Sequence, residues 1–502
     1  MEKINQNSAS RIRQGIDHIK NDLHLSELLT GSSIAFILKI AGMLFSYIFI
    51  LLVTRNFGAG AMGIFALSTT VLSVFSILGR LGFDTALLRF IAEYSSQGRL
   101  DMVKGVYHKA LKIVIPLSIF ISFILFYLSP FIAKNIFHKE YLSLYFRIVS
   151  LAVLPMVLIN INSQALRALK KIKEFSFFQN ISNFLFASIS LAVMLVFARQ
   201  QSAVIVSYVL ALFSGAVLSH ILWQKNARLA MGRHCETLMP QGDAKGDENT
   251  PHPNPLPQGE REQNNPPPLM GGGEGEGEIN AFLEQTIKLK DMLNVSLPMM
   301  LSGSMAFIMG WTATIMLGMF KSDMEVGIFN VAVKVAVFTS ITLVAINSIA
   351  APKFAEFYGK KDIEGLGKVA RQSTKLIFWT SFPILLAIFL FPSFILGIFG
   401  TEFKAGIFAL LILTVGQFVN AISGSVGFIL QMTGKEKVFQ NIMLAATALN
   451  IALNAVLIPR YGINGAAVAN MVSMVFLNLS SVIYIKFSMN INTLYIPALI
   501  RR

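Results

Sequence analysis

Long apolar runs, each about the length of a bilayer crossing, alternate along this chain with short polar loops. A helix needs roughly 20 mainly apolar residues to cross the hydrocarbon core. One such run extends from about Ser32 to Thr54 and a second from about Met62 to Leu81. Others are centred near Ile119, Leu154, Ser188 and Leu210 and, after a long polar interruption, near Ala306, Val337, Leu385, Leu411, Ala448 and Met474. The pattern predicts an all-α membrane protein of about twelve transmembrane helices.

The polar stretches divide the chain further. Ile12, Ile16, Ile19 and Leu23 recur at helical spacing among Arg11, Arg13, Lys20 and Asp22, so residues 1–30 read as an amphipathic segment on the cytoplasmic face, with a solvated tail as the alternative. The interruption contains Pro251-His-Pro-Asn-Pro-Leu-Pro, then Pro266-Pro-Pro, then Gly271-Gly-Gly-Glu-Gly-Glu-Gly-Glu. So few large apolar residues cannot offset the entropy of ordering, and the wording resembles translated palindromic repeats of bacterial genomes. Residues 226–285 are therefore expected to form a disordered cytoplasmic linker between a six-helix lobe at 31–225 and another at 286–488, followed by a cytoplasmic tail at 489–502. No apolar leader precedes the first span, so no cleaved signal peptide is expected.

An internal repeat supports two equal halves. Gly63-Ile64-Phe65 recurs as Gly327-Ile328-Phe329, Ala92-Glu93-Tyr94 as Ala355-Glu356-Phe357, and Phe178-Gln179-Asn180-Ile181 as Phe439-Gln440-Asn441-Ile442, at separations of 264, 263 and 261 residues. Three ordered matches at nearly constant spacing point to duplication. Six spans per copy make the copies parallel, related by an axis along the membrane normal, with a cavity expected between them. A rigid two-lobed structural protein is the alternative.

Charge fixes orientation. The chain is 54% hydrophobic and 14% charged with mean hydropathy +0.61, against about 25% charged for soluble domains. Its formal charge of +15 raises nucleic acid as a partner, yet the basic residues gather in alternate loops: Arg89, Arg99, Lys104 and Lys109, then Arg167, Lys170, Lys171 and Lys173, then Lys360, Lys361, Lys368 and Arg371. Loops around Arg199, Lys321, Lys404 and Arg460 are sparse. This distribution sets topology, places both termini in the cytoplasm and leaves no reason to invoke nucleic acid. Cys235, the single cysteine, lies in a polar loop and has no partner for a disulfide.

Ionisable residues within spans are costly and mark functional candidates. Lys39 lies about nine residues into the first span and Lys334 about a third of the way down the eighth. Each is a candidate ligand for an anion, or a cation snorkelling to the interface. Arg80 and Asp84 stand one turn apart and read as a structural ion pair, with Arg89 beyond them. Acidic residues such as Asp84, Glu174, Asp291, Glu325, Glu402 and Glu436 all fall at helix ends or in loops. An exporter of organic cations normally embeds a carboxylate, so lysine without acid implies a positive cavity suited to a phosphate or pyrophosphate.

Asn160 in the fourth span and Gln417 and Asn420 in the tenth sit at depth, where they serve sugar hydroxyls or interhelical hydrogen bonds. Pro155 and Pro298 are expected to kink their helices, and Gly416 and Gly424 to allow close packing or bending. Metal-ligand spacings, phosphate loops and nucleophile elbows are missing from any supporting context. The reading is a transport protein without metal or cofactor, not an enzyme.

Three stretches carry a family resemblance. Lys39-Ile-Ala-Gly42 with Thr54-Arg55-Asn-Phe-Gly58 and Gly63-Ile-Phe-Ala-Leu, then Gly82-Phe-Asp84-Thr-Ala-Leu-Leu-Arg89-Phe-Ile-Ala-Glu93-Tyr94, then Asn454-Ala-Val-Leu-Ile-Pro459-Arg-Tyr-Gly462-Ile-Asn-Gly465-Ala-Ala, resemble bacterial polysaccharide biosynthesis (O-antigen) flippases of the multidrug/oligosaccharidyl-lipid/polysaccharide superfamily. The resemblance covers about Leu29 to Met489 apart from the linker. It implies a MATE-like fold of two lobes around a central cavity, in the bacterial inner membrane. It also implies alternating-access flipping of an undecaprenyl-pyrophosphate-linked oligosaccharide for O-antigen, capsule or exopolysaccharide assembly. Lys39 and Lys334 would then meet the pyrophosphate, with Gln417, Asn420, Asn160 and Arg89 as further substrate-binding candidates. Membrane lipids, a glycan polymerase or glycosyltransferases are implied partners, and the coupling ion stays open between H+ and Na+. An ion-coupled exporter of small organic cations on the same fold is the competing reading, and a non-transporting scaffold for glycan synthases a third.

Overall fold

The computed structural model describes residues 23–197, 200–238, 305 and 307–495, and among them every regular element is helical. Eight helices are long and apolar enough to cross a membrane, and a pair bent by 43°, Leu142–Ser150 with Val153–Ala168, makes a ninth. Two of the eight, Phe36–Arg80 and Glu436–Met489, hold 45 and 54 residues. At 1.5 Å per residue they run about 68 and 81 Å, more than twice the hydrocarbon thickness of about 30 Å.

Each of these long helices is broken by a glycine, Gly58 at φ 78° and Gly462 at φ 55°. A left-handed φ is open to glycine at little steric cost and interrupts the helix where a hairpin between spans is needed. Each long helix is thus two crossings, and Phe307–Phe320 is the described part of the seventh. Together these elements account for the expected twelve.

One buried core draws on both halves. It joins first-half residues such as Phe49, Leu67, Val106 and Leu166 to Ala313, Leu317, Val326, Phe329, Leu396, Phe403 and Ile463 of the second. A separate cluster, with Phe354, Leu366, Ile429, Leu430 and Ile485, holds only second-half residues. The halves therefore share packing at the end that carries the loops near 58, 139, 321 and 400. Toward the end that carries the basic loops, the second half packs on itself.

Several boundaries differ from the expectation. The helix Ser202–Leu238 continues past the expected linker start at 226, because Asn226 and Ala227 are buried against the lobe and the following residues are mostly good helix formers. Residues 239–285 lie outside the described residues, as do 1–22 and Pro298. The expected free tail also begins as packed chain. Ile491 and Thr493 are buried, the Tyr495 N–H donates to the Ile422 carbonyl at 2.9 Å, and the Trp379 indole donates to the Tyr495 hydroxyl at 3.1 Å. The helix Ile407–Ser423 ends at Gly424, so the Ile422 carbonyl lacks a helical donor and the returning chain supplies one.

The repeat is not uniform in detail. Phe177–Ile181 forms a π-turn in the fifth span, whereas the equivalent Phe439–Ile442 lies inside the helix Glu436–Met489.

Candidate functional site

A cavity of about 180 Å³ lies between the halves. The first half contributes Ile50 and the second-span face Met62, Phe65, Ala66, Thr69, Thr70 and Ser73, with Phe184 and Tyr208 from the fifth and sixth spans. The second half contributes Trp311 and Thr314, then Asn330 and Lys334 one turn apart on the helix Asp323–Val337, and Asn470. Among the described residues no carboxylate lines it.

Among the described residues Lys334 is its one cationic side chain. The ammonium stands 5.7 Å from the centre of the Phe184 ring, across the gap between halves. A ring face attracts a cation by roughly 0.5–2 kcal/mol, far less than burying an unpaired charge costs. Phe184 thus positions the ammonium without neutralising it, and the site stays complementary to an anion. The Lys334 backbone is fixed as well: its carbonyl accepts from the Tyr47 hydroxyl at 2.7 Å, just before the helix tightens into the 3-10 turn Phe338–Ser340.

Neutral polar groups complete the wall. Asn330 Nδ2 donates to Thr314 Oγ1 and to the Val326 carbonyl, both at 3.3 Å, and Asn470 Oδ1 accepts from Asn450 at 3.0 Å. Hydroxyls of Thr69, Thr70 and Ser73 donate to carbonyls of their own helix at 2.7–2.8 Å, which leaves their lone pairs facing the space.

Other sequence candidates fall elsewhere. Lys39 does not line this cavity. It is partly buried in the first span, eleven residues from Ile50 and so about 17 Å along the helix toward the basic end. Gln417 is buried and accepts from Ser340 at 2.8 Å and Asn420 at 3.5 Å, which ties the tenth span to the eighth. Asn160 donates to the Met156 carbonyl at 2.8 Å and accepts from Gln179 at 3.4 Å. Arg89 is exposed.

Arg80 and Asp84 form a 2.8 Å ion pair with little exposure, but it bridges a break at Leu81 and Gly82, both at positive φ, rather than one helix turn. Pro155 stands just after the bend of the fourth span. Gly416 packs where an added Cβ would lie 3.3 Å from Met471 Cα, and Gly424 ends its helix at φ 72°. Sequence reasoning did not single out Tyr47, Phe184, Trp311 or Asn330. Phe184 and Trp311 look like ordinary apolar positions of a span until the opposite half is present.

Residues 28–235 match the family described as polysaccharide biosynthesis protein, and residues 298–456 the family described as MatE. The chain belongs to the multidrug/oligosaccharidyl-lipid/polysaccharide superfamily. Within the superfamily it is similar to the probable low-salt glycan biosynthesis flippase Agl15 of Haloferax volcanii, 26% identical over 185 residues. That match takes in 37% of this chain and 39% of the relative's length.

Solved superfamily structures share the fold. An inward-facing conformation of a multidrug resistance MATE family transporter aligns with a TM-score of 0.65 at 14% identity, over 92% of this chain and 98% of that one. The lipid II flippase MurJ, in an inward closed conformation, aligns at 0.62 and 12% identity over 91% and 87%. The chain is a multi-pass membrane protein with a MATE-like fold.

Proposed function

We propose that this protein is a flippase that moves a polyprenyl-pyrophosphate-linked oligosaccharide across the bacterial inner membrane for surface polysaccharide assembly, by rocking its two halves in alternation. The observation that carries the proposal is the inter-half cavity that, among the described residues, holds Lys334 and no acid. A pyrophosphate is an anion with several acceptor oxygens, and an ammonium held against a ring face lacks only such a partner. The surrounding hydroxyls and amides suit the sugar side of the same cargo. The polysaccharide biosynthesis match over 28–235 and the similarity to a glycan flippase agree with this reading.

The cavity is smaller than the roughly 300–1,000 Å³ of small-molecule sites, so in this conformation it suits the charged group rather than the whole glycan. Lys39, nearer the basic end, fits a first contact for the pyrophosphate on its way in. By the distribution of Lys and Arg, that end and both termini are cytoplasmic. Export of organic cations is the weaker reading, since a cation entering this cavity meets an ammonium and no carboxylate.

The test is flipping of a fluorescent polyprenyl-pyrophosphate glycan by purified protein in vesicles, together with surface glycan in cells. Lys334→Ala is expected to lower both at normal membrane abundance, with Lys334→Arg keeping most of the rate and Lys39→Ala giving a smaller loss. Full activity in Lys334→Ala would remove the cavity from the transport path.

A further inference from the structure

Among the described residues, the hydrogen bonds that join the halves, apart from the one between Tyr47 and Lys334, gather at the end opposite the basic loops. Arg55 Nε donates to the Ile398 carbonyl at 2.7 Å, and the Ala59 N–H, freed by the break at Gly58, donates to Glu402 Oε1 at 2.5 Å. Lys139, in the loop after the third span, donates through Nζ to Asp323 Oδ1 and to the Lys321 carbonyl, both at 2.7 Å. The Tyr141 hydroxyl donates to the other oxygen of the same carboxylate. Lys139 and Asp323 are about nine-tenths buried at their side chains, so each charge depends on the other. Local desolvation of the hydroxyl, and next the Asp323 carboxylate, push the Tyr141 hydroxyl above its ordinary range.

Beside this cluster the second and eighth spans cross at almost no separation. An added Cβ on Gly63 would lie 1.8 Å from the Asp323 carbonyl oxygen, and one on Gly327 would lie 2.0 Å from the Ala59 carbonyl oxygen. Both obstacles are backbone, so neither can turn aside. The contact is reciprocal, because each glycine meets the residue four positions before the other. Gly63 and Gly327 are also the repeat-equivalent residues of the Gly-Ile-Phe motif.

We propose that the Gly63–Gly327 crossing and the Lys139–Asp323–Tyr141 cluster form the seal on the non-cytoplasmic face, and that parting them is the step that exposes the cavity to that face. The seal has two functions. The glycines allow backbones to touch and exclude water. The ion pair makes the closed state conditional, since two lobes moving apart must rehydrate both charges together. Packed interfaces are bistable rather than continuously deformable, so the crossing and the charge pair part in one step. The proposal rests on reading the protein as an alternating-access transporter, but its test needs no cargo.

The test places one cysteine in the cavity, Ser73→Cys, in the full chain carrying Cys235→Ala. Labelling by a membrane-impermeant maleimide is then followed from each side, in spheroplasts and in inverted vesicles. Gly63→Ala and Asp323→Asn are each expected to raise labelling from the non-cytoplasmic side at least about tenfold, as a population shift toward the open state. The charge swap Lys139→Asp with Asp323→Lys is expected to return it toward the parent level. Unchanged outside labelling in Gly63→Ala and Asp323→Asn, with both proteins inserted at parental abundance, would overturn the seal. Should either variant fail to insert, cross-linking of Lys139→Cys with Asp323→Cys decides: outside labelling that stays high under oxidising conditions also overturns it. Loss of glycan flipping with normal gating would instead count against the proposed cargo.

Discussion

Tyr47 of the first half donates its hydroxyl to the backbone carbonyl of Lys334 in the second, at 2.7 Å. The bond fixes the residue that carries the cavity's charge to the opposite lobe, at the point where its own helix relaxes into a tighter turn. Tyr47→Phe removes the donor and keeps the ring contacts with Phe338 and Phe399. The expected result is a stability loss of about 1 kcal/mol, read as a lower unfolding temperature in detergent, with a reduced flipping rate.

Phe184 tests how the ammonium is held. Phe184→Tyr keeps a π face toward Lys334 and is expected to retain activity. Phe184→Leu removes the roughly 0.5–2 kcal/mol of ring attraction and is expected to weaken cargo binding by up to about thirtyfold, seen as a higher half-saturating concentration in a flipping assay.

Gly424 is held at φ 72°, ψ −143°, where an added Cβ would lie 2.0 Å from Thr374 Oγ1. Gly424→Ala is expected to cost at least about 1–3 kcal/mol of backbone strain, measured by thermal unfolding. Adding Thr374→Ala removes the hydroxyl but leaves the Cβ of residue 374 at 2.8 Å from the added atom and the strain in place, so the double variant is expected to recover only part of the loss.

Deletion of Asp247 to Gly277 is expected to leave flipping and abundance unchanged. The Pro/Gly composition of this stretch offers no apolar surface for either lobe to bury. Surface glycan in a strain carrying only the shortened chain checks this.

The architecture was legible because hydrophobic periodicity and the Gly-Ile-Phe repeat report on burial and duplication directly. Broken helices were readable as turns, since Gly58 and Gly462 sit in Thr54-Arg-Asn-Phe-Gly58 and Pro459-Arg-Tyr-Gly462, at the ends of apolar runs. Of the site, Lys334 was visible because a lysine in a span stands out. Phe184, Tyr47 and Trp311 were not, since an aromatic in a span faces lipid, core or cavity with the same local sequence. Asp323 escaped notice for a related reason. It begins a helix, where an acid is favoured by the dipole alone, and only the partner loop with Lys139 gives it a second role.

The reciprocal contact of Gly63 and Gly327 also bears on origin. Because the same small residue in each copy seats the other, a single six-span unit bearing it would be self-complementary at this point. That is the condition for a two-fold homodimer of identical chains, here with both inserted in the same direction. Fusion of two such genes would keep the joint intact, and thereafter neither glycine could change to a larger residue without unseating its twin.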